Sequence, residues 1–232
     1  MRKELKDLNR GEIFKEEVKD AKGSEQKGYR PYMVVSDYSF NNQNGYALVC
    51  PLSNQPYLEP DGIHVETKKS VITGWVLTQH LTPYVSSYID NESSTVNVVD
   101  EAKNSIVEKC LEVFKAISTE TEHKHAGLNQ GEIVQLDLNN DRVYAVILSE
   151  NSFNECHNSV WVAPVVIESD YDGEPDHVEI KNEQLFDNEC GIVYIEAVRN
   201  INIKVRNVEK TNFSVDVSEL KKCLEILNIF FE

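Results

Sequence analysis

The feature that most constrains this chain is that it repeats itself. "GEIFKEEV" at Gly11 returns as "GEIVQLDL" at Gly131, and "YMVVSDYSFN" at Tyr32 returns as "YAVILSENSFN" at Tyr144. "HVE" occurs at His64 and His177, and "KCLEVF" at Lys109 matches "KCLEIL" at Lys222. Only two copies are present and the period is domain-sized, which marks a tandem duplication and not a solenoid. The repeat divides the chain into a domain over 1–118, a linker over 118–130 and a second domain over 126–232. The linker stretch "STETEHKHAGLNQ" is polar and unpatterned. His123 and His125 lie in it with no further ligand nearby, so the spacing predicts a solvated linker and not a metal site.

Each copy must fold from the same parts. "EIFKEEV", "YMVVS", "GYALVCPLS", "GIHVET" and "GWVLTQHL" are short segments rich in Val, Ile, Tyr and Thr, split by turn-forming Gly, Asn, Asp and Pro. A closing helix follows, with Val107, Cys110, Leu111 and Phe114 on one face in the first copy. Leu220, Cys223, Leu224 and Leu227 repeat that spacing in the second. Several short strands and one amphipathic helix in each copy predict a small, strongly bent β-barrel with a helix laid against it, an α+β fold that is mainly β.

The copies differ at their first connection. Matched on Tyr32 and Tyr144, the second copy is eight residues shorter there: "KDAKGSEQKGYR" from Lys19 stands against "NNDR" from Asn139. The second copy shows that the fold asks only for a short turn. An elaborated loop on rigid strands commonly carries function. Gly23 and Gly28 let the loop adopt backbone conformations closed to other residues, and Pro31 biases Arg30 toward an extended conformation at the loop-to-strand junction. A guanidinium held there can grip a phosphate with two parallel hydrogen bonds, or pair with a nearby carboxylate.

Charge and cysteines bound the setting. The chain carries 23 Lys and Arg against 39 Asp and Glu, a net of −16. Most of the excess acid lies beyond residue 118, so contact with a polyanion is expected on the first copy. The five cysteines are odd in number and contain no CxxC, which favours a reducing cytoplasm over a disulfide scaffold or a zinc site. The amino-terminal "MRKELKDLNRGE" has no apolar core and no run approaches a membrane span, so no signal peptide and no membrane association are expected.

On "GEIF…KGSEQKGYRPYMVVS…NNQNGYALVCPLSNQ" the first copy resembles the MazF/PemK family of toxin endoribonucleases. The loop residues Gly23, Ser24, Glu25, Gln26, Gly28, Arg30 and Pro31 all match the family's pattern. The resemblance implies two tandem SH3-like β-barrels of the MazF/PemK/CcdB type and a metal-independent, cofactor-free cut of single-stranded RNA or mRNA through a 2′,3′-cyclic phosphate. It implies Arg30 and Ser53 as catalytic residues, Ser53 standing where the family has threonine. Gly23, Ser24, Glu25, Gln26, Gly28, Gln55 and Gln79 become substrate-binding positions. An antitoxin protein is the implied partner. Because family members pair two barrels, the duplicated chain is expected to form an intramolecular pseudo-dimer with one competent site.

The second copy lacks the loop, and Arg142 aligns with Arg30 while Val166 replaces Ser53. In a later strand the first copy keeps Gln79 but has Leu81 where the family has arginine, and the second keeps Arg199 but has Ala197 in place of glutamine. Two readings stand beside the nuclease: a catalytically weakened RNA- or protein-binding regulator on the same fold, and a gyrase poison of the CcdB type.

Overall fold

The computed structural model describes residues 1–18, 28–54, 62–69, 71–84, 95–119, 127–138, 141–168, 173–187 and 189–232. They form two compact units, Met1–Lys115 with Phe230–Glu232, and Ala116–Ile229.

In unit 1 the strands are β1 (Arg2–Glu4), β2 (Glu12–Val18), β3 (Gly28–Val34), β4 (Ala47–Ser53), β5 (Gly62–Val65), β6 (Gly74–Leu77), β7 (Thr82–Tyr84) and β8 (Thr95–Glu101). Helix α1 (Tyr38–Asn44) joins β3 to β4, and α2 (Asn104–Ile117) follows β8. The sheet runs β1-β8-β2-β3-β4-β6-β5, with β7 also paired to β4. Its inner face carries Phe14, Tyr32, Val34, Ala47, Val49, Tyr84 and Val96, all buried. Phe14 lies 4.9 Å from Tyr84, and Tyr32 lies 5.5 Å from Tyr84, centroid to centroid. Such aromatic contacts add to the burial energy of the rings themselves. Helix α2 buries Ile106, Cys110 and Phe114, one turn apart each, and the ring of Phe231 packs 5.0 Å from Phe114 within the same unit.

Unit 2 repeats the plan. Its strands are β9 (Glu132–Leu138), β10 (Asp141–Ile147), β11 (Ser159–Glu168), β12 (His177–Lys181), β13 (Cys190–Tyr194), β14 (Arg199–Asn202) and β15 (Glu209–Ser214). Its helices are α3 (Asn151–Cys156), α4 (Glu183–Phe186) and α5 (Val217–Ile229). The order β12-β13-β11-β10-β9-β15, with β14 on β11, repeats the unit 1 order read from β5 back to β8, and β1 alone has no counterpart among the described residues. Val134, Ala145 and Ile201 take the places of Phe14, Tyr32 and Tyr84, so the second core is built from smaller, aliphatic groups.

One polar device recurs and fixes the alignment of the copies. Ser36 donates to Asn41 and accepts from the Leu48 N–H at 2.9 Å, while Asn41 reaches the Leu8 carbonyl at 2.9 Å. Ser149 does the same with Asn154 and the Trp161 N–H at 2.9 Å, and Asn154 with the Leu128 carbonyl at 3.1 Å. These buried groups satisfy one another in both units. They set Ser36 on Ser149, and therefore Tyr32 on Ala145, where matching tyrosines would have set Tyr32 on Tyr144. The β2–β3 connection spans residues 19–27 and the β9–β10 connection residues 139–140, a difference of seven residues and not eight.

All five cysteines are free thiols. Burial pushes Cys110 and Cys223 up to about 12, and Cys50 also well above its ordinary value. No helix among the described residues is long and apolar enough to cross a membrane.

Candidate active site

Residues directly opposite in a β-ladder point to the same face. Glu16 pairs with Arg30 across β2 and β3. The β3–β4 ladder pairs Val34 with Val49, Met33 with Cys50 and Tyr32 with Pro51. Continued by two residues, that register sets Arg30 opposite Ser53. Ser53 pairs with Trp75 across β4 and β6, and Trp75 with His64 across β6 and β5. Glu16, Arg30, Ser53, Trp75 and His64 therefore form one row over five strands, at the end of the barrel whose floor is Phe14, Tyr32 and Tyr84.

The local chemistry of the row follows from this placement. Arg30, two residues before Tyr32, shares its face and is half-buried. Burial pushes the Tyr32 hydroxyl up to about 12, with the charge of Arg30 working against that rise. Glu16 is half-buried, and burial raises its carboxyl above the usual carboxylate range while Arg2 opposes the rise. Ser53 is held by a close backbone approach. A Cβ on Gly74 would lie 2.3 Å from the Ser53 carbonyl oxygen, and Gly74 has φ +137°. Only glycine lets β6 come so near. Arg30 and Ser53, 23 residues apart in the sequence, are thus brought to one row.

The other expected residues fall elsewhere. Gly28 opens β3 opposite Val18. Gln79 lies in the 3₁₀ turn Thr78–His80 beyond the end of β6 and is 2% exposed, off the row. Gly23, Ser24, Glu25, Gln26 and Gln55, like His123 and His125, lie outside the described residues. Sequence reasoning did not find Glu16, Trp75 or His64, because only strand order and register join them to Arg30.

The corresponding row of unit 2 is aliphatic at four of its five positions and ends on Glu179. Leu136 pairs with Val143, Val166 with Ile192, and Ile192 with Glu179, while Tyr144 opposite Val165 carries the register on from Val143 to Val166. Val143, and not Arg142, is the counterpart of Arg30. Arg142 sits one residue earlier and so faces the other side of the sheet. There it bridges Asp137 at 3.2 Å and Glu209 at 2.7 Å, and donates to the Asn207 carbonyl at 2.7 Å. Ladder pairs also correct the later strand. Thr82 faces Val49 as Arg199 faces Val162, so Thr82 and not Leu81 stands where the second copy has arginine. By the same shift Glu196 is the counterpart of Gln79.

A protein-family model described as "PemK-like, MazF-like toxin of type II toxin-antitoxin system" matches residues 9–115 and again residues 129–231. The chain belongs to this family. It is a tandem member, with one family domain matched in each half, and each half carries the family's bent sheet and closing helix. Among solved structures, MazF from Deinococcus radiodurans is 19% identical over 45% of this chain and 96% of its own, at a TM-score of 0.39. A MazE-MazF structure from the same organism gives 20% identity over 45% and 95%, at 0.38. An endoribonuclease in complex with its cognate antitoxin from Mycobacterial species gives 16% over 44% and 92%, at 0.36. Comparison with curated proteins returns no match.

Proposed function

We propose that this toxin-family chain is an endoribonuclease that cuts single-stranded RNA in the cytoplasm without a metal ion, using one site in its first copy. One observation carries the reading: unit 1 sets Glu16, Arg30 and Ser53 in a row where unit 2 sets Leu136, Val143 and Val166. The second copy shows that the fold accepts aliphatic residues at all three positions, with Leu136 buried, Val143 partly buried and Val166 exposed. Unit 1 instead carries a guanidinium, a hydroxyl and a half-buried carboxyl whose pKa burial raises, and chemistry accounts for that difference.

The row has the groups that RNA cleavage requires. The 2′-hydroxyl beside the scissile phosphate is the nucleophile, and only RNA supplies it. The Glu16 carboxylate takes the 2′ proton as the 2′-oxygen bonds to phosphorus. Its raised pKa brings it nearer the working pH, where a general base is most effective. Arg30 stabilises the negative charge that builds on the phosphorane oxygens, and the Ser53 hydroxyl donates to one of them. The bond from phosphorus to the 5′-oxygen then breaks, the leaving oxygen takes a proton from water, and Glu16 returns its proton to the hydroxide formed. The products are a 2′,3′-cyclic phosphate and a 5′-hydroxyl.

The second copy, acidic and without this row, serves as a built-in, non-cutting partner of the first. Membership of a family of type II toxin-antitoxin toxins supports an antitoxin protein as the regulating partner. The test is incubation with single-stranded RNA in EDTA, with chemical mapping of both new ends. Cleavage giving a 2′,3′-cyclic phosphate and a 5′-hydroxyl is expected. A 5′-phosphate product, or no cutting in EDTA by protein that cuts with Mg²⁺, overturns the mechanism.

A further inference from the structure

We infer that Trp75 and His64 form a nucleobase-stacking subsite for the RNA nucleotide beside the scissile phosphate. The inference rests on the nuclease reading for the phosphate's place, and on independent geometry for the base.

The first observation is position. Trp75 is the ladder partner of Ser53 on one side and of His64 on the other. Adjacent strands lie about 4.8 Å apart, so the indole begins one strand spacing from the Ser53 hydroxyl and two from Arg30. The close approach at Gly74, the residue before Trp75, fixes that spacing.

The second observation is exposure. Trp75 is half-buried and His64 exposed, and their rings meet edge to face, 5.2 Å apart at 84°. That contact holds the indole in one orientation while part of it still meets solvent. A large aromatic group left half in water beside a phosphate-binding row is a platform for an unstacked base.

The third is the internal comparison. Unit 2 places Ile192 and Glu179 at these two positions, and Ile192 is completely buried. The fold therefore closes this end of the barrel with an aliphatic side chain when no base has to be received. Glu179 would also repel a phosphate backbone, which His64 does not.

The tryptophan count makes the test direct. The chain has two tryptophans, and Trp161 is completely buried in unit 2. Quenching of tryptophan fluorescence by a bound oligonucleotide therefore reports Trp75. The probes are short single-stranded homo-oligodeoxynucleotides of each base, which lack the 2′-hydroxyl and cannot be cut, with binding followed separately by the anisotropy of an attached dye. The full chain should bind them with quenching. Trp75→Ile, which copies the residue unit 2 carries, should abolish the quench and weaken binding roughly ten- to hundred-fold. Trp75→Phe should restore most of the affinity, which a merely space-filling role would not require. Binding by anisotropy without quenching, or unchanged affinity in Trp75→Ile, overturns the subsite and leaves the nuclease reading standing. Quenching by a protein that never cuts RNA supports the subsite and overturns the nuclease reading. Absence of any binding overturns the subsite, and the nuclease reading is then decided by RNA cleavage alone.

Discussion

Glu16 and Arg30 stand directly opposite each other across β2 and β3, and the charges that act on their surroundings are divided between two arginines. Arg2 opposes the effect of burial on Glu16, while Arg30 opposes it on Tyr32. The pair closes one end of a barrel whose counterpart is shut by Leu136 and Val143. Glu16 stands half-buried where unit 2 packs a leucine, and burial raises its carboxyl, so the chemistry of the pair can be tested residue by residue.

Arg30→Ala removes the row's guanidinium. Loss of one such stabilising contact commonly costs ~10²–10³ in rate, and RNA cleavage under single-turnover conditions should fall by that order. Arg142→Ala should leave the rate within about twofold, because Arg142 faces the opposite side of its sheet and makes exposed surface bridges. Those bridges are worth roughly 0–1 kcal/mol each. Comparable rate losses from the two changes would refute the register-based division between the copies.

Asp100 holds the segment that leads into β6. It is 1% exposed and accepts N–H bonds from Lys69 at 3.0 Å, Val71 at 3.0 Å, Ile72 at 3.3 Å and Glu101 at 2.8 Å. Burial alone would raise its carboxyl, but the Thr67 hydroxyl and these N–H groups outweigh it and bring the pKa to about 2. A folded pKa below the unfolded ~3.9 gives stability that is full above the unfolded value and is lost as pH falls toward about 2. Asp100→Asn should therefore flatten the fall in melting temperature over that acid range. Asp100→Ala, which leaves the donors without an acceptor, should cost at least about 2 kcal/mol at neutral pH in chemical unfolding. Equal acid sensitivity in the wild type and Asp100→Asn would count against the anchor.

Much of this was legible in the sequence, and the reason the remainder was not is geometric. Repeated segments revealed two domains, and alternating apolar residues gave their strands, because burial of one face imposes a period of two. Arg30 and Ser53 were singled out through a motif that keeps its residues in order, and the strand register brings the two to one row. Register was not. "YMVVS" and "YAVILS" differ by one residue, so matching their tyrosines put Arg142 in the place of Val143 and turned every side chain to the wrong face. "HVE" misleads in the same way: His64 pairs with Trp75, but the residue in the matching place of unit 2 is Glu179, not His177. Pairing of β6 between β4 and β5 joins residues 53, 75 and 64, an order no linear reading supplies.

Gly74→Ala tests the link between this pairing and the site. Its Cβ would meet the Ser53 backbone at 2.3 Å, and φ +137° is unfavourable for any residue with a side chain. Backbone cannot rotate aside as a side chain can, so β6 must move away from Ser53. Cleavage should fall by at least about tenfold even where the protein remains folded by circular dichroism, since small displacements at a reacting centre are expensive. Full activity in a folded Gly74→Ala protein would mean that the placement of Ser53 does not depend on this contact.

Glu16→Leu places in unit 1 the residue that unit 2 already carries, so it separates the catalytic cost from the structural one. Burial raises the Glu16 carboxyl above its unfolded value, with Arg2 opposing. For a carboxyl shifted in this direction, folding is unpenalised below the unfolded pKa of ~4.3, and the penalty develops as pH rises through the folded value. Glu16→Leu should therefore raise the melting temperature at neutral pH, and the gain should shrink as the solution is acidified below about pH 4. Activity should move the other way. As the base that accepts the 2′ proton, Glu16 must be ionised, so the wild-type rate should fall on acidification along a limb lying above the ordinary glutamate range. Glu16→Leu should lose roughly 10²–10⁴ in rate together with that limb. A variant that is more stable, less active and flat with pH on the acid side fits a base set against its own fold. A variant that is more stable and equally active, with the acid limb unchanged, would assign the proton transfer to another group.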